Sequence, residues 1–382
     1  MHDLPPRSTL IRIAPLRVVP PGIDPIRIAN VMAGARTGGA ELFFERLTIA
    51  LARAGDQVLP IIRRDAARAT RLRAAGLQPW ELGFGGPLDL LTSRRLGAAL
   101  RRFAPRVTVA WMSRAAGFTP AGDWVLIGRL GGYYDLRHFR RCDHLVANTA
   151  ELTHWILRQG FPPARVHQLP NFAPDLAGAQ PVPRASLGVP DGVPLLLALG
   201  RLHQNKAFDL LVRALPRLPR VHAVIAGEGP ERASLEALAR SEGVTDRLHL
   251  PGWRTDTGGL LAAADLLICP SRQEPLGNVV LEAWSARRPV IAAAAGGPSE
   301  LITQDHDGKL VPLEDPPALA EAIRALLDDP PHAATLARNG RARYEADFAE
   351  APVLARWRHF LDTVEKPGVE TPRVEKPRIE KS

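Results

Sequence analysis

The sequence is poor in cysteine, in aromatic residues and in long hydrophobic runs. Its two cysteines, Cys142 and Cys269, exclude a disulfide framework and favour reduced thiols in a cytoplasmic protein. The longest apolar runs, such as 195–199 and 290–295, are far shorter than the ~18 residues of a membrane-spanning helix. Residues 1–25 contain six prolines and no apolar core of a secretory signal, so we expect a flexible leader there.

Several chemical signatures are also missing. The eleven histidines are dispersed without the spacing of metal ligands, and no G-x-S-x-G motif marks a serine hydrolase, so we expect no metal. The glycine turns at 34–39 and 227–229 are incomplete dinucleotide fingerprints. Aromatic residues make up only 5% of the chain and no nucleic-acid-binding module is present, which argues against a nucleic-acid partner.

The charge is uneven along the chain. Residues 1–190 contain 25 arginines, no lysine and 13 acids, whereas residues 191–382 carry a small negative net charge. A basic half is typical of an anionic partner, such as a membrane surface or an acidic substrate, and equally of a solvated arginine-rich surface. The arginines at 94–102 lie on a predicted helix with Leu96, Ala99, Leu100 and Phe103, a pattern compatible with a membrane surface and also with a solvated helix face.

Strands and helices alternate twice, which predicts an α/β protein with two doubly wound parallel sheets. The first series starts with a strand at 26–31, a helix at 40–54 and a strand at 58–62, and the second starts with the apolar strand at 195–199 and a helix at 205–217. A stretch rich in proline separates them. The predicted division is a first domain at 26–171, a linker at 172–192 and a second domain at 193–348.

The C-terminal region differs in composition from the two domains. Residues 331–364 are predicted to form two helices with a break at Pro352. Residues 365–382 contain loose Glu-Lys-Pro repeats without apolar periodicity, so we expect a disordered tail.

The segment from Ser271 to Glu300 carries the strongest functional signal. It places Glu274 in a loop after a buried strand and Glu282 about one turn into the next helix. Gly277 lets the backbone approach a ligand, and the amides of Asn278 and Val279 at the helix start suit phosphate oxygens. The segment thus offers carboxylates for hydroxyl groups beside amides for phosphate.

Two basic residues follow the first strand of the second domain. Arg201 comes directly after that strand, and Lys206, the first lysine of the chain, opens the next helix. Ligands of doubly wound sheets gather at the carboxyl ends of the strands, where an arginine and a lysine can hold a diphosphate.

In these blocks the chain resembles the retaining glycosyltransferases of family 4, within the glycosyl transferases group 1 and the GT-B fold. The resemblance covers residues 26 to about 362 and is closest to bacterial enzymes of lipopolysaccharide or capsule synthesis. It implies two Rossmann-like domains facing a cleft, with a C-terminal helix at 349–364 crossing back to the first domain. The matching blocks are 38–41, 200–209, 227–230, 263–266, 274–282, 289–291 and 296–300.

The resemblance also implies residue roles. Arg201 and Lys206 would bind the donor diphosphate, Glu274 the donor sugar and Glu282 the ribose. Gly39 would approach the phosphate from the first domain. The stretch 252–254 and Glu228 would lie near the base, and catalysis would need no metal or other cofactor.

The chain departs from the family pattern at three positions. Ala207 replaces the glycine after the motif lysine, and Leu276 stands where phenylalanine is common. Many members carry a histidine near the sugar, but the matching stretch 127–135 has none, so Arg129, Tyr133 or Asp135 is a candidate replacement. The pair Asp305 and Asp307 is similar to the metal-binding acids of another transferase fold but precedes a turn into a strand.

We therefore expect a retaining glycosyltransferase that moves a sugar from a nucleoside-diphosphate donor to a hydroxyl of a lipid-linked or cell-envelope glycan. The catalytic candidates are Glu274, Arg201 and Lys206. The expected location is cytoplasmic, with the basic first half as a candidate contact for an anionic membrane. Two alternatives are a non-catalytic nucleotide-sugar-binding protein and a nucleotide-sugar 2-epimerase.

Overall fold

The computed structural model describes residues 24–35, 38–86 and 89–368. The expected leader, except for residues 24–25, and the expected tail beyond residue 368 lie outside these ranges. The strands are β1 Arg27–Met32, β2 Gln57–Arg63, β3 Trp80–Leu82, β4 Val107–Trp111, β5 Val125–Arg129, β6 His144–Ala147, β7 Val166–Gln168, β8 Leu195–Leu199, β9 His222–Ala226, β10 Leu248–His249, β11 Leu266–Cys269, β12 Val290–Ala293 and β13 Lys309–Val311.

Helices connect these strands. They are α1 Gly39–Arg53, α2 Ala66–Ala74, α3 Leu90–Phe103, α4 Met112–Phe118, α5 Ala150–Arg158, α6 Phe208–Ala214, α7 Arg232–Ser241, α8 Thr257–Ala263, α9 Asn278–Ser285, α10 Gly296–Leu301, α11 Pro316–Asp328, α12 Pro330–Arg343 and α13 Glu350–Thr363.

The strands form two parallel sheets, as predicted. The first sheet has the order β3-β2-β1-β4-β5-β6-β7 and the second has the order β10-β9-β8-β11-β12-β13. The strand order reverses between β1 and β4 in one sheet and between β8 and β11 in the other. Such switch points open a crevice at the carboxyl ends of the strands, where ligands of doubly wound sheets bind. The domain and linker boundaries remain a prediction.

The strands read as continuous apolar runs because helices cover both faces of each sheet. β4 is buried at every position, and Leu195 to Ala198 of β8 are buried as well. Helix α13 returns to the first sheet, because Val353, Trp357 and Leu361 lie in the core that contains β1 and α1. This position confirms the expected crossing of the C-terminal helix.

The predicted helix at 205–217 is wrong as a single element. A 3₁₀ turn at Gln204–Lys206 precedes α6, and a second 3₁₀ turn at Leu215–Arg217 follows it. Ala207 between them has a left-handed backbone with φ of 52°, which an α-helix cannot contain.

The predicted break at Pro352 is also misplaced. The break lies at Ala349, after a π-helical turn at Tyr344–Phe348. Pro352 lies in the first turn of α13, where its missing N–H has no intrahelical partner to lose.

The apolar side of α3 faces the protein core. Leu96, Ala99 and Leu100 are fully buried and pack with β1, β2 and α5. The amphipathic pattern of α3 therefore reflects packing against the core on one side, with the arginines on the exposed side. In the described ranges, no helix combines the length and hydropathy needed to cross a bilayer.

Candidate active site

The loops after β8 and β11 meet at the switch point of the second sheet. β8 and β11 pair directly, so their following loops leave the same edge side by side. The backbone N–H groups of Arg272 and Gln273 donate to the carbonyl of Asn205 at 2.9 and 3.2 Å. The lysine loop and the loop that precedes Glu274 are therefore one connected unit.

Lys206 and Glu274 form an ion pair in this unit. The Lys206 ammonium donates to Glu274 Oε2, and Ser271 Oγ donates to the same oxygen at 3.3 Å. The Lys206 side chain is 25% exposed and that of Glu274 is 9% exposed. Burial lowers the pKa of Lys206, but the negative charge of Glu274 outweighs this and raises it. Lys206 is therefore a stable cation beside the cleft.

Arg201 lies at the same edge and is exposed. It makes no ion pair with any residue in the described ranges. Two cations with different burial thus stand at the carboxyl end of β8, and the guanidinium is available to an anionic ligand.

The start of α9 faces the same crevice. Gly277 precedes the helix with φ of 91°, a conformation that a side chain would strain. The first N–H groups of the helix, on Asn278 and Val279, have no partner inside α9. The loop before them is fixed to α10, because the Gly297 N–H donates to the Glu274 carbonyl at 2.8 Å.

Glu282 is contacted from the first domain. Its carboxylate lies 3.4 Å from the Arg46 guanidinium of α1, and its side chain is 15% exposed. Burial raises the pKa of Glu282, although Arg46 lowers it in part. Sequence reasoning missed Arg46. Its position seven residues after Gly39, two turns along the same helix, is the signal that could have found it.

Gly39 begins α1 and lies against α9. A Cβ at Gly39 would be 2.7 Å from Asn278 Nδ2, so glycine permits this approach. Nearby, the Glu41 carboxylate accepts from the Ala35 N–H at 2.8 Å and is almost fully buried. Glu41 therefore supports the glycine turn. Residues 36 and 37 of that turn lie outside the described ranges.

The three candidates for the missing histidine have different environments. Arg129 is buried, and its guanidinium donates to Asn171 Oδ1 at 2.6 Å. The Tyr133 ring is 51% exposed and packs against Trp155 at 5.4 Å. Asp135 accepts from the Arg137 N–H at 2.9 Å and caps the 3₁₀ turn Leu136–Phe139. Of the three, Arg129 is connected to α9, because Asn171 Nδ2 donates to Asn278 Oδ1 at 3.0 Å.

A second bridge between the domains involves Glu300 of α10. Its carboxylate accepts from the Ala150 N–H at 2.7 and 2.8 Å and from the Glu151 N–H at 3.3 Å. These groups begin α5, where a negative charge is favourable. Sequence reasoning placed Glu300 in a matching block but missed this contact.

Comparisons with known proteins decide the family. A profile described as "Glycosyl transferases group 1" matches residues 193–329. The lipopolysaccharide core biosynthesis glycosyltransferase LpsD of Rhizobium meliloti is 33% identical over 330 residues, covering 85% of this chain and 95% of the relative. LpsE of the same organism is 32% identical over 326 residues, covering 83% and 94%. The chain belongs to the glycosyl transferases group 1.

The fold of this group 1 glycosyltransferase is GT-B, as the resemblance implied. HepE from Anabaena, solved in complex with UDP and glucose, matches it with a TM-score of 0.78 and 23% identity over 88% of this chain and all of that chain. At 23% identity, this similarity shows the fold and nothing about the substrate.

The expected base region of the glycosyltransferase is partly brought together. A Cβ on Gly252 would be 2.8 Å from Glu228 Oε1, so the two stretches are adjacent. Glu228 pairs with Arg232 at 2.9 Å, and this hydrogen bond lowers the pKa of Glu228. Trp253 is half exposed beside them.

The acid pair at 305–307 has a structural role. Asp307 is 1% exposed, accepts from the Thr303 N–H at 2.7 Å and pairs with Arg343 at 2.8 Å. Asp305 pairs with Lys309 at 2.8 Å. Across the described residues, no group of three or more His, Cys, Asp or Glu side chains is arranged to hold a metal ion.

Proposed function

We propose that this glycosyltransferase moves a sugar from a nucleoside-diphosphate donor to a hydroxyl of a lipopolysaccharide-core or other lipid-linked glycan, with retention of anomeric configuration. The observation that carries the proposal is the Lys206–Glu274 ion pair beside the start of α9, at the switch point of the second sheet. The names of the Rhizobium meliloti relatives support the acceptor class. The UDP and glucose bound to HepE support the donor class.

The geometry suggests a division of roles. Lys206 and Arg201 would bind the diphosphate through their positive charges, and the first N–H groups of α9 would bind it as unpaired hydrogen-bond donors. Glu274 would accept from hydroxyls of the donor sugar. Glu282 would accept hydrogen bonds from the ribose hydroxyls. Arg46 would then either move away from Glu282 or stay bonded to the same carboxylate.

The reaction then needs little from the protein beyond charge and orientation. The bond between the sugar C1 and the diphosphate oxygen breaks, and its electron pair leaves on the nucleoside diphosphate. The acceptor hydroxyl oxygen bonds to C1 on the same face, and its proton passes to the departing phosphate oxygen. Lys206 and Arg201 offset the charge of the leaving group, so the proposed step includes no metal.

Product formation tests this proposal. The protein would be incubated with labelled UDP-, GDP-, ADP- and dTDP-sugars and with lipopolysaccharide truncated in the core. We expect one donor to yield a labelled glycan with the anomeric configuration of the donor, and inversion would contradict retention. Isomerised free donor would indicate an epimerase, and binding without turnover would indicate a non-catalytic protein.

We also propose a cytoplasmic protein that contacts an anionic membrane through exposed arginines. Arg94, Arg95, Arg101 and Arg102 of α3 are exposed, whereas the apolar side of this helix is buried. Attraction would therefore be electrostatic, about 1 kcal/mol per basic residue near the surface. Vesicles containing anionic lipid should sediment the protein at low salt and release it at high salt. Binding that is absent or independent of salt would contradict this contact.

A further inference from the structure

Arg129 is a buried cation at the carboxyl end of β5. Arg129 is 2% exposed, and its guanidinium lies beside the rings of Phe43 and Trp111, 5.8 and 5.5 Å from their centres. Its guanidinium donates to the Leu130 carbonyl and to Asn171 Oδ1. Its Nε–H has no acceptor among the described residues.

Arg129 differs from the other two arginines that are buried in the described ranges. Arg68 pairs with Glu45 at 3.0 Å, and Arg358 pairs with Asp56 at 3.1 Å. No carboxylate in the described ranges pairs with Arg129. Burial lowers the pKa of Arg129 to about 9, so the group stays protonated at neutral pH. A buried charge without a counter-ion is costly, and such a cost is common where a ligand supplies the opposite charge.

Two side-chain amides connect this cation to the cleft. Asn171 accepts from Arg129 and donates to Asn278 Oδ1, at 2.6 and 3.0 Å. Asn278 is the first residue of α9, and its remaining amide nitrogen lies on the side of Gly39. The hydrogen bonds thus run from the buried guanidinium to the helix end that faces the diphosphate in the proposed function.

We propose that Arg129 is a positioning residue for the donor diphosphate, acting from the first domain through Asn171 and Asn278. The inference rests on the proposed function. Arg129 fixes Asn171, Asn171 fixes the Asn278 amide, and the amide N–H then points into the cleft. The diphosphate supplies a negative charge, and no carboxylate in the described ranges pairs with Arg129 to supply one. The contact joins the two domains, so the closed arrangement is favoured when the anion is bound.

Four variants test this inference by calorimetry and thermal shift. Arg129→Met removes the positive charge, and Arg129→Lys keeps it. Asn171→Ala removes the hydrogen bonds between Arg129 and Asn278 and leaves the charge of Arg129 in place. Arg358→Met is the matched control, because it alters a buried arginine at α13. The probes are UDP, GDP, ADP, dTDP and the four corresponding nucleosides.

We expect Arg129→Met and Asn171→Ala to weaken the binding of the preferred nucleoside diphosphate about tenfold, as befits a charge acting at some distance. The affinity for the matching nucleoside should stay unchanged, and Arg129→Lys should recover most of the loss. Arg358→Met should lower the melting temperature more than Arg129→Met, and should leave both affinities as they are.

Equal losses for nucleoside and nucleoside diphosphate would assign Arg129 a structural role and overturn the inference. Unchanged diphosphate affinity in both Arg129→Met and Asn171→Ala would also overturn it, while the proposed function would stand. Failure of the unmodified protein to bind any of the four diphosphates would instead overturn the proposed function, and the inference with it.

Discussion

At the scale of single residues, the Lys206–Glu274 pair links two loops that are far apart in the sequence. The pair forms because β8 and β11 are neighbours in the sheet and both loops leave its carboxyl edge. The negative charge of Glu274 raises the pKa of Lys206, so the ammonium stays protonated although burial opposes this. In the proposed function, a diphosphate bound at this edge would meet a cation whose position is already set, so little reorganisation would be needed.

The variant Lys206→Met separates charge from packing, since methionine keeps most of the apolar stem. We expect turnover to fall about 100-fold, or ~2.7 kcal/mol, because the leaving group loses its cation. Binding of the nucleoside should change little. Steady-state kinetics and calorimetry with nucleoside and nucleoside diphosphate measure the two effects.

Two comparison variants make that prediction specific. Glu282→Ala should weaken nucleoside and nucleoside diphosphate equally, because the ribose is common to both. Lys309 is paired with Asp305, about 100 residues after Lys206 in the sequence. Lys309→Met should therefore leave turnover unchanged. Equal loss of turnover and nucleoside binding in Lys206→Met would contradict the leaving-group role.

At the scale of elements, the cleft is built where α1 approaches α9. Gly39 faces Asn278 and, two turns later, Arg46 faces Glu282. The approach at the start of α1 depends on glycine, because a Cβ there would lie 2.7 Å from Asn278 Nδ2. This approach lies at the expected phosphate site.

Gly39→Ala should obstruct this approach. The new Cβ would lie 2.7 Å from Asn278 Nδ2, and Asn278 is held by Asn171. We expect turnover to fall about tenfold, equivalent to ~1.4 kcal/mol, with little change in the melting temperature because alanine favours the helix. Enzyme kinetics and thermal unfolding measure these effects.

Gly178→Ala is the control for this variant. Its Cβ would have no atom within 4 Å, so turnover should be retained. If Gly39→Ala retains turnover as the control does, the close approach of α1 to α9 has no functional role.

At the scale of the whole molecule, α13 ties the C-terminus to the first domain. The Arg358–Asp56 pair is buried at this contact, and Asp56 also accepts from the Ile26 N–H at 3.1 Å. Burial raises the pKa of Asp56 even though Arg358 and the Ile26 N–H lower it. A carboxyl whose pKa is raised in the folded state lowers the stability of the protein as the pH rises from about 4 through the folded pKa.

Arg358→Met should destabilise the protein by about 3–5 kcal/mol at neutral pH, because it leaves Asp56 buried and unpaired. The folded pKa of Asp56 then rises further, so the loss should be smaller at pH 5 than at pH 8. Denaturant unfolding at the two pH values measures the difference. The double variant Asp56→Asn, Arg358→Met should recover part of the loss, and a loss independent of pH would contradict the account.

Much of the fold was predictable because its signals are local. Apolar runs such as 195–199 mark buried strands, and helical spacing marks α1. The errors have local causes too. Ala207 adopts a left-handed backbone that its residue type does not announce, and β3 and β7 have three residues each, which is too short for periodicity. Pro352 signals a helix start as readily as a break.

The two parallel sheets and the family could be predicted from the sequence, and Lys206, Glu274 and Glu282 could be proposed from it, because periodicity and motif spacing are properties of neighbouring positions. The contacts between distant groups across the cleft came from the folded structure alone. Arg46 and Glu282 are 236 residues apart, and Asn171 and Asn278 are 107 residues apart. Such contacts depend on how the two sheets face each other, and spacing along the chain does not encode that geometry. The burial of Arg129 without a carboxylate belongs to the same class, because the charge environment of a side chain is set by the folded surroundings.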